Sequence, residues 1–202
     1  GVGAEESGSV LLRAARAGSV AGSDVNIDPI GAMITGAERV SIEAFKAYTT
    51  SVIDGGAIAA WKADSAAFMA NTAAIKSRVG IVGNDKYHLG PGIEVRSTGD
   101  ITVLENWSLH DWRYDPDSGV EIVDPSQLSN GATVGGRALA AGVLSLRALG
   151  DSNFQASLSD GFDGTTPLNT LNNGGASWSY RIAAGADLGS ADPLAVMPVD
   201  SA

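Results

Sequence analysis

The stretch GVLSLRALGD, residues 142–151, decides how the chain is read. Leu144 and Leu146 alternate with Ser145 and Arg147, which is the two-residue period of a strand, and Gly150-Asp151 ends it with turn residues. Kindred phrases recur as SVLLRAARAG (9–18), ERVSIEAFKA (38–47), GIEVRSTGDI (92–101) and SWSYRIAAGAD (177–187). Leu12, Ile42, Val95, Leu146 and Tyr180 fall at the same point of the phrase, followed by Arg13, Glu43, Arg96, Arg147 and Arg181. One phrase buries too few side chains to offset the entropy of ordering its own backbone, so the phrases must stack on one another. That is the logic of a solenoid. Its inward row would hold Leu12, Ile42, Val95 and Leu146, and the arginines that follow them, Arg13, Arg96 and Arg147, would point outward, solvated or paired with turn aspartates such as Asp100 and Asp151.

Composition narrows the class. The 202 residues are 44% hydrophobic and 18% charged with a formal net charge of -10, which suits a folded chain and repels nucleic-acid backbones. The 13 Lys and Arg form no basic cluster, so nucleic acid is not an expected partner. The absence of cysteine removes disulfides and thiolate chemistry. No run reaches the length of a membrane span, and the first residues lack the character of a signal peptide.

Along the chain, residues 1–54 read as strand coils punctuated by glycine. Apolar spacing then changes to three and four over GGAIAAWKADSAAFMANTAAIKSRVG (55–80), through Trp61, Phe68, Ile75 and Val79. This predicts an amphipathic helix, or two split by Asp64 as an N-cap, with Gly80 as the stop, packed on the side or end of the solenoid. Residues 81–202 return to coils, with loop insertions at about 106–136 and 159–175.

Candidate chemistry is sparse. His88 and His110 lack metal-site spacing, and the Ser108, His110, Asp111 trio has no nucleophile elbow, so no catalytic residue is expected. DPDSG (115–119) and SDGFDG (159–164) bunch carboxylates as calcium loops do, but neither matches a calcium-loop template, and no metal or other cofactor is expected. Asp160, Asp163 and Arg147 would be the acids and base of a carbohydrate-active β-helix enzyme, the alternative to a non-enzymatic role. Trp107 and Trp178 belong to the repeated phrases and are expected to pack in the coil. Trp112 and Tyr114, with Asp160 and Asp163, are the candidate surface contacts.

The runs PGIEVRSTGDITVLENWSLHDWRY (91–114), GVLSLRALGDSNFQASLSDGF (142–162) and SWSYRIAAGADLGSADPLAV (177–196), in that order, resemble the filamentous-haemagglutinin-like large exoproteins of Gram-negative bacteria, the two-partner-secretion adhesin family. The resemblance spans about residues 55–196. It implies an all-β fold, a right-handed parallel β-helix with a lateral α-helical insertion, forming part of a rod. It also implies an extracellular, cell-surface location and export through an outer-membrane transporter. The partners it implies are glycans or proteins of host or neighbouring cells. Open strand edges and missing caps raise a further possibility, a subunit of an extracellular filament joined by end-to-end self-association.

Overall fold

The computed structural model describes residues 8–17, 23–32, 34–122, 133–134, 137–160 and 177–198. The alternating phrases do become strands. They are β1 (Gly8–Ala17), β3 (Ala37–Thr49), β5 (Tyr87–Ser97), β10 (Val143–Ala148) and β13 (Ser179–Ala184). Together with β2 (Asp24–Val25) they form one six-stranded sheet in the order β13-β10-β5-β3-β1-β2. A three-stranded parallel sheet orders β11 (Ser152–Phe154), β6 (Ile101–Val103) and β4 (Val52–Ile53). Two pairs complete the set: parallel β7 (Trp107–Ser108) with β12 (Leu158–Ser159), and antiparallel β8 (Thr133–Val134) with β9 (Arg137–Ala138).

The right-handed parallel β-helix is not what these strands build. The sheets are mixed, and the largest curls into a half-barrel. Its edge strand β2 runs antiparallel to β1. No constant repeat sets the stacking. The register pairs Leu12 with Ile42, Ile42 with Leu89, Val95 with Leu146, and Leu146 with Ile182. Those steps are 30 (42 − 12), 47 (89 − 42), 51 (146 − 95) and 36 (182 − 146) residues. The row of equivalent residues therefore breaks twice: Ile42 lies beside Leu89 rather than Val95, and Tyr180 lies beside Leu144 rather than Leu146. A solenoid needs each turn to reproduce the last, and only one pair of passes does so. Residues 92–97, 101–103 and 107–108 pair with 143–148, 152–154 and 158–159. Across that pair Asp100 Oδ1 accepts from the Asp151 amide at 2.8 Å and Asn106 Oδ1 from the Ser157 amide at 2.9 Å, each 51 residues on. Gly150 is needed there by proximity, since a Cβ would stand 2.2 Å from Asp100 Oδ1.

The helical stretch is split in two, but not at Asp64. Helix α1 (Gly55–Met69) is capped by Asp54, whose Oδ1 accepts from the Ala57 amide at 2.8 Å. Helix α2 (Thr72–Val79) ends on Gly80 in the left-handed region at φ 82°. Neither is a lateral attachment. Phe68, Met69, Ile75 and Val79 are buried against Val40, Ile42, Ala44 and Leu89 of the six-stranded sheet, so the helices form a wall of the core. A second cluster joins Ile93, Val95, Leu144 and Leu146 to Ile53, Ile101 and Val103 of the three-stranded sheet. Among the described residues no helix is long and apolar enough to cross a membrane.

Asp64 instead pins α1 to the sheet from the middle of the helix. Its carboxylate accepts from Arg16 Nη1 at 2.7 Å, Lys46 Nζ at 2.5 Å and the Tyr48 hydroxyl at 2.6 Å. Burial alone would raise the Asp64 carboxyl, but the hydrogen bonds from Lys46 and Tyr48 and the charges of Arg16 and Lys46 outweigh it and hold the group below its ordinary value. Burial, then the bond to Asp64, pushes the Tyr48 phenol up. A carboxyl lowered on folding stabilises fully above its unfolded value and loses that contribution as pH falls through the folded one. Asp64→Asn is therefore expected to cost about 1.5–3 kcal/mol at neutral pH. In chemical denaturation followed against pH, the gap between the parent and this variant should hold constant from neutrality down to about pH 4 and close below it.

Candidate functional site

Alternation gives the six-stranded sheet two faces. Leu12, Ile42, Leu89, Val95, Leu144 and Leu146 look toward the helices and the core. The other face carries Arg13, Glu43, Phe45, Glu94, Arg96, Arg147 and Arg181, which the register places on neighbouring strands. The sequence predicts that these arginines are solvated or paired with turn aspartates. They are instead gathered on two carboxylates, because the sheet curls over this face.

Glu94 lies at the centre and its side chain is 1% exposed. Its Oε1 accepts from Arg147 Nη1 at 3.2 Å and Arg96 Nε at 2.5 Å, and its Oε2 accepts from Arg13 Nη2. Arg147 is equally buried and sends its other nitrogen to the carbonyls of Asp187 and Ser190. Glu43, 2% exposed, accepts from Arg13 Nε at 3.0 Å and from Arg181 Nη1 at 2.6 Å. Arg13 crosses β3 to reach Glu94 with its guanidinium 3.7 Å above the Phe45 ring. Neither Asp100 nor Asp151 serves these arginines; Asp100 is spent on the backbone of the next pass.

The reach of Arg181 measures the curl. Strands β13 and β3 are three places apart in the sheet, roughly 14 Å if it were flat. On a flat surface both side chains would have to lie fully extended to touch. Curling brings them together, and glycines in the intervening strands leave the space. A Cβ on Gly92 would fall 2.7 Å from Phe45 Cβ, and one on Gly90 would fall 2.3 Å from the Ala141 carbonyl oxygen.

Four arginines against two glutamates leave this network with a formal charge of +2 in a chain of -10. Among the described residues, Ser145, between Glu94 and Arg181 in the register, buries a hydroxyl without a hydrogen-bond partner, and Arg147 Nε is likewise unpartnered. At one end the face opens as a groove of about 290 Å³. Ser9, Ser41, Ser177, Ser179, Arg39 and Arg181 are among its lining residues, with Glu43 between the arginines.

The residues singled out from the sequence lie elsewhere. Trp112 and Tyr114, expected as surface contacts, are 2% and 0% exposed. Trp112 belongs to a run of rings, Tyr48, Trp61, Trp107, Trp112 and Trp178, whose successive centroids are 5.1 to 5.9 Å apart. Trp107 and Trp178 are buried, as expected. Burial, then the charge of Glu121, raises the Tyr114 phenol. Asp160, the third surface candidate, is also buried: one oxygen accepts from Arg113 and the other from the Trp178 amide at 2.6 Å. Asp163 lies outside the described residues, as do residues 161–175 of the second loop insertion and 123–132 of the first. Asp160 and Arg147, paired in the enzyme alternative, are each committed to other partners. His110 Nδ1 is 2.8 Å from Asp111 Oδ1 on the exposed surface, and Ser108 Oγ accepts from the His110 amide at 3.3 Å, so the three share a turn rather than a nucleophile–base line. In DPDSG, Asp115 accepts from the amides of Asp117 and Ser118, and Asp117 meets Lys76 Nζ at 2.9 Å. Among the described residues no three His, Asp or Glu side chains converge as metal ligands do.

A signal for the network was present in the sequence: Glu43 stands where the other phrases have arginine, and Glu94 lies two residues before Arg96 on the same face. Comparison with protein-family models, curated proteins and solved structures finds no match for this chain.

Removing one charge from a buried network leaves the others desolvated and unpaired. Glu94→Gln is expected to lower stability by about 3–5 kcal/mol in urea unfolding. The loss should persist in 1 M salt, because buried pairs are screened little. A loss that vanishes with salt would place the network in solvent.

Proposed function

We propose that the chain is a structural and adhesive segment of a secreted bacterial surface exoprotein, acting through surface contact rather than turnover. In this reading it is exported through an outer-membrane transporter and meets glycans or proteins of host or neighbouring cells. The rod is withdrawn with the solenoid. One observation carries the reading. The three phrases that resemble the large exoproteins open in β5, β10 and β13, which lie side by side as parallel strands of one sheet, so the recurring wording falls on neighbouring strands. Of the two aspartates that motivate the enzyme alternative, Asp160 is tied to Arg113 and the Trp178 amide, and Asp163 lies outside the described residues.

Self-association has an observation of its own. The core row that runs through Val95 and Leu146 reaches β13 at Ile182, which is 43% exposed, and Tyr180 beside Leu144 is 38% exposed. An uncovered edge strand offers its backbone and apolar side chains to another strand.

Beads coated with the purified chain should attach to bacterial or epithelial cells above albumin-coated beads, and soluble chain should compete. No attachment, together with cleavage of an added glycan, would reverse the assignment. In sedimentation across concentration, Ile182→Lys should reduce any association of the parent chain. Association unchanged by that substitution would place the contact away from β13.

A further inference from the structure

We propose that the groove at the end of the charged face binds a compact hydroxylated carboxylate, the chemical class of a sugar acid. This goes beyond the adhesive reading and does not depend on it.

Three features argue for it. The first is charge. The face concentrates Arg13, Arg96, Arg147 and Arg181 on only Glu43 and Glu94. Arg39 adds a further cation at the groove, bonded to Ser41 Oγ at 3.0 Å and, among the described residues, without an ion pair. An anion entering here meets the Arg39 and Arg181 guanidinium groups, whose planar donors suit a carboxylate, with Glu43 already bonded to Arg181. The second is the lining. Ser9, Ser41, Ser177 and Ser179 bring four hydroxyls, each able to donate and to accept, and a polyhydroxylated ring offers the same pair of roles in return. The third is size. A volume of about 290 Å³ lies at the small end of ligand pockets and suits a single sugar ring rather than a peptide or nucleotide.

The network beneath would hold the site rigid. Arg181 is fixed by Glu43, and Glu43 by Arg13, so the groove wall is positioned before any ligand arrives.

The test titrates the full chain with galacturonate, galactose, inorganic phosphate and polygalacturonate by calorimetry. Galacturonate is expected to bind saturably and galactose not to bind. Arg39→Gln, at an exposed position outside the buried network, should keep the parent melting temperature and weaken galacturonate roughly tenfold, the loss of one charge-assisted contact. Binding of polygalacturonate as well would identify units of a polymer as the source, and binding of the monomer alone would identify the free acid. No saturable galacturonate binding would overturn the proposal. So would phosphate binding as tight as galacturonate, polymer binding without monomer binding, or an unaltered affinity in Arg39→Gln.

Discussion

Two buried glutamates determine the shape of this protein. Glu43 and Glu94 each draw arginines from other strands onto one face of a sheet, and a charge at that depth persists only when its partners reach it. The consequence is geometric. Arg181 and Glu43, 138 residues apart in sequence and three strands apart in the sheet, can share a hydrogen bond comfortably only if the sheet curls. Gly90 and Gly92 leave out the side chains that would obstruct the curl. The same network thus links the choice of residue in five strands to the half-barrel and to the groove at its end.

The opposite face follows a different rule. Leucine, isoleucine and valine from the sheet meet Phe68, Met69, Ile75 and Val79 from the helices, and burial of apolar surface provides most of the stabilisation there. The Asp64 carboxylate enters that side satisfied by Arg16, Lys46 and Tyr48. The run of aromatic rings from Tyr48 to Trp178 joins β3, α1, the loop after β7 and the approach to β13. That chain explains why Trp112 is inside although its sequence reads as loop, whereas Tyr114 is buried in the other cluster, with Phe68, Met69 and Val40. Large rings near a core are drawn into it when their polar atoms or neighbouring carbonyls find partners, and the Trp112 carbonyl accepts from Trp178 Nε1 at 2.9 Å.

Much of the secondary structure was legible because it depends on local period. The five phrases are five strands of one sheet, and the change of spacing at residue 55 marks the start of α1 to within a residue. The arginines were misread for a physical reason. A two-residue period says which side chains share a face, but whether that face meets water depends on the curvature of the whole sheet. The helix break shows the same limit on a smaller scale. Asp54 and Asp64 are both competent caps by residue type, and the tertiary contacts of Asp64 with Arg16 and Lys46 decide that it stays in mid-helix. The solenoid failed because steps of 30, 47, 51 and 36 residues do not make a repeat, although each phrase taken alone resembles the next. The groove was invisible in the sequence, since its serines come from β1, β3, the segment before β13 and β13 itself, and only the curl brings them together.

The most direct test of the curled, carboxylate-centred face is a double-mutant cycle on Glu43→Gln and Arg181→Gln, read by urea unfolding. Contact across the concavity predicts a coupling energy of about 1.5 kcal/mol or more. A coupling of about 0.3 kcal/mol or less, the additivity expected of independent sites, would show that β13 does not fold back over β3 and would contradict the account.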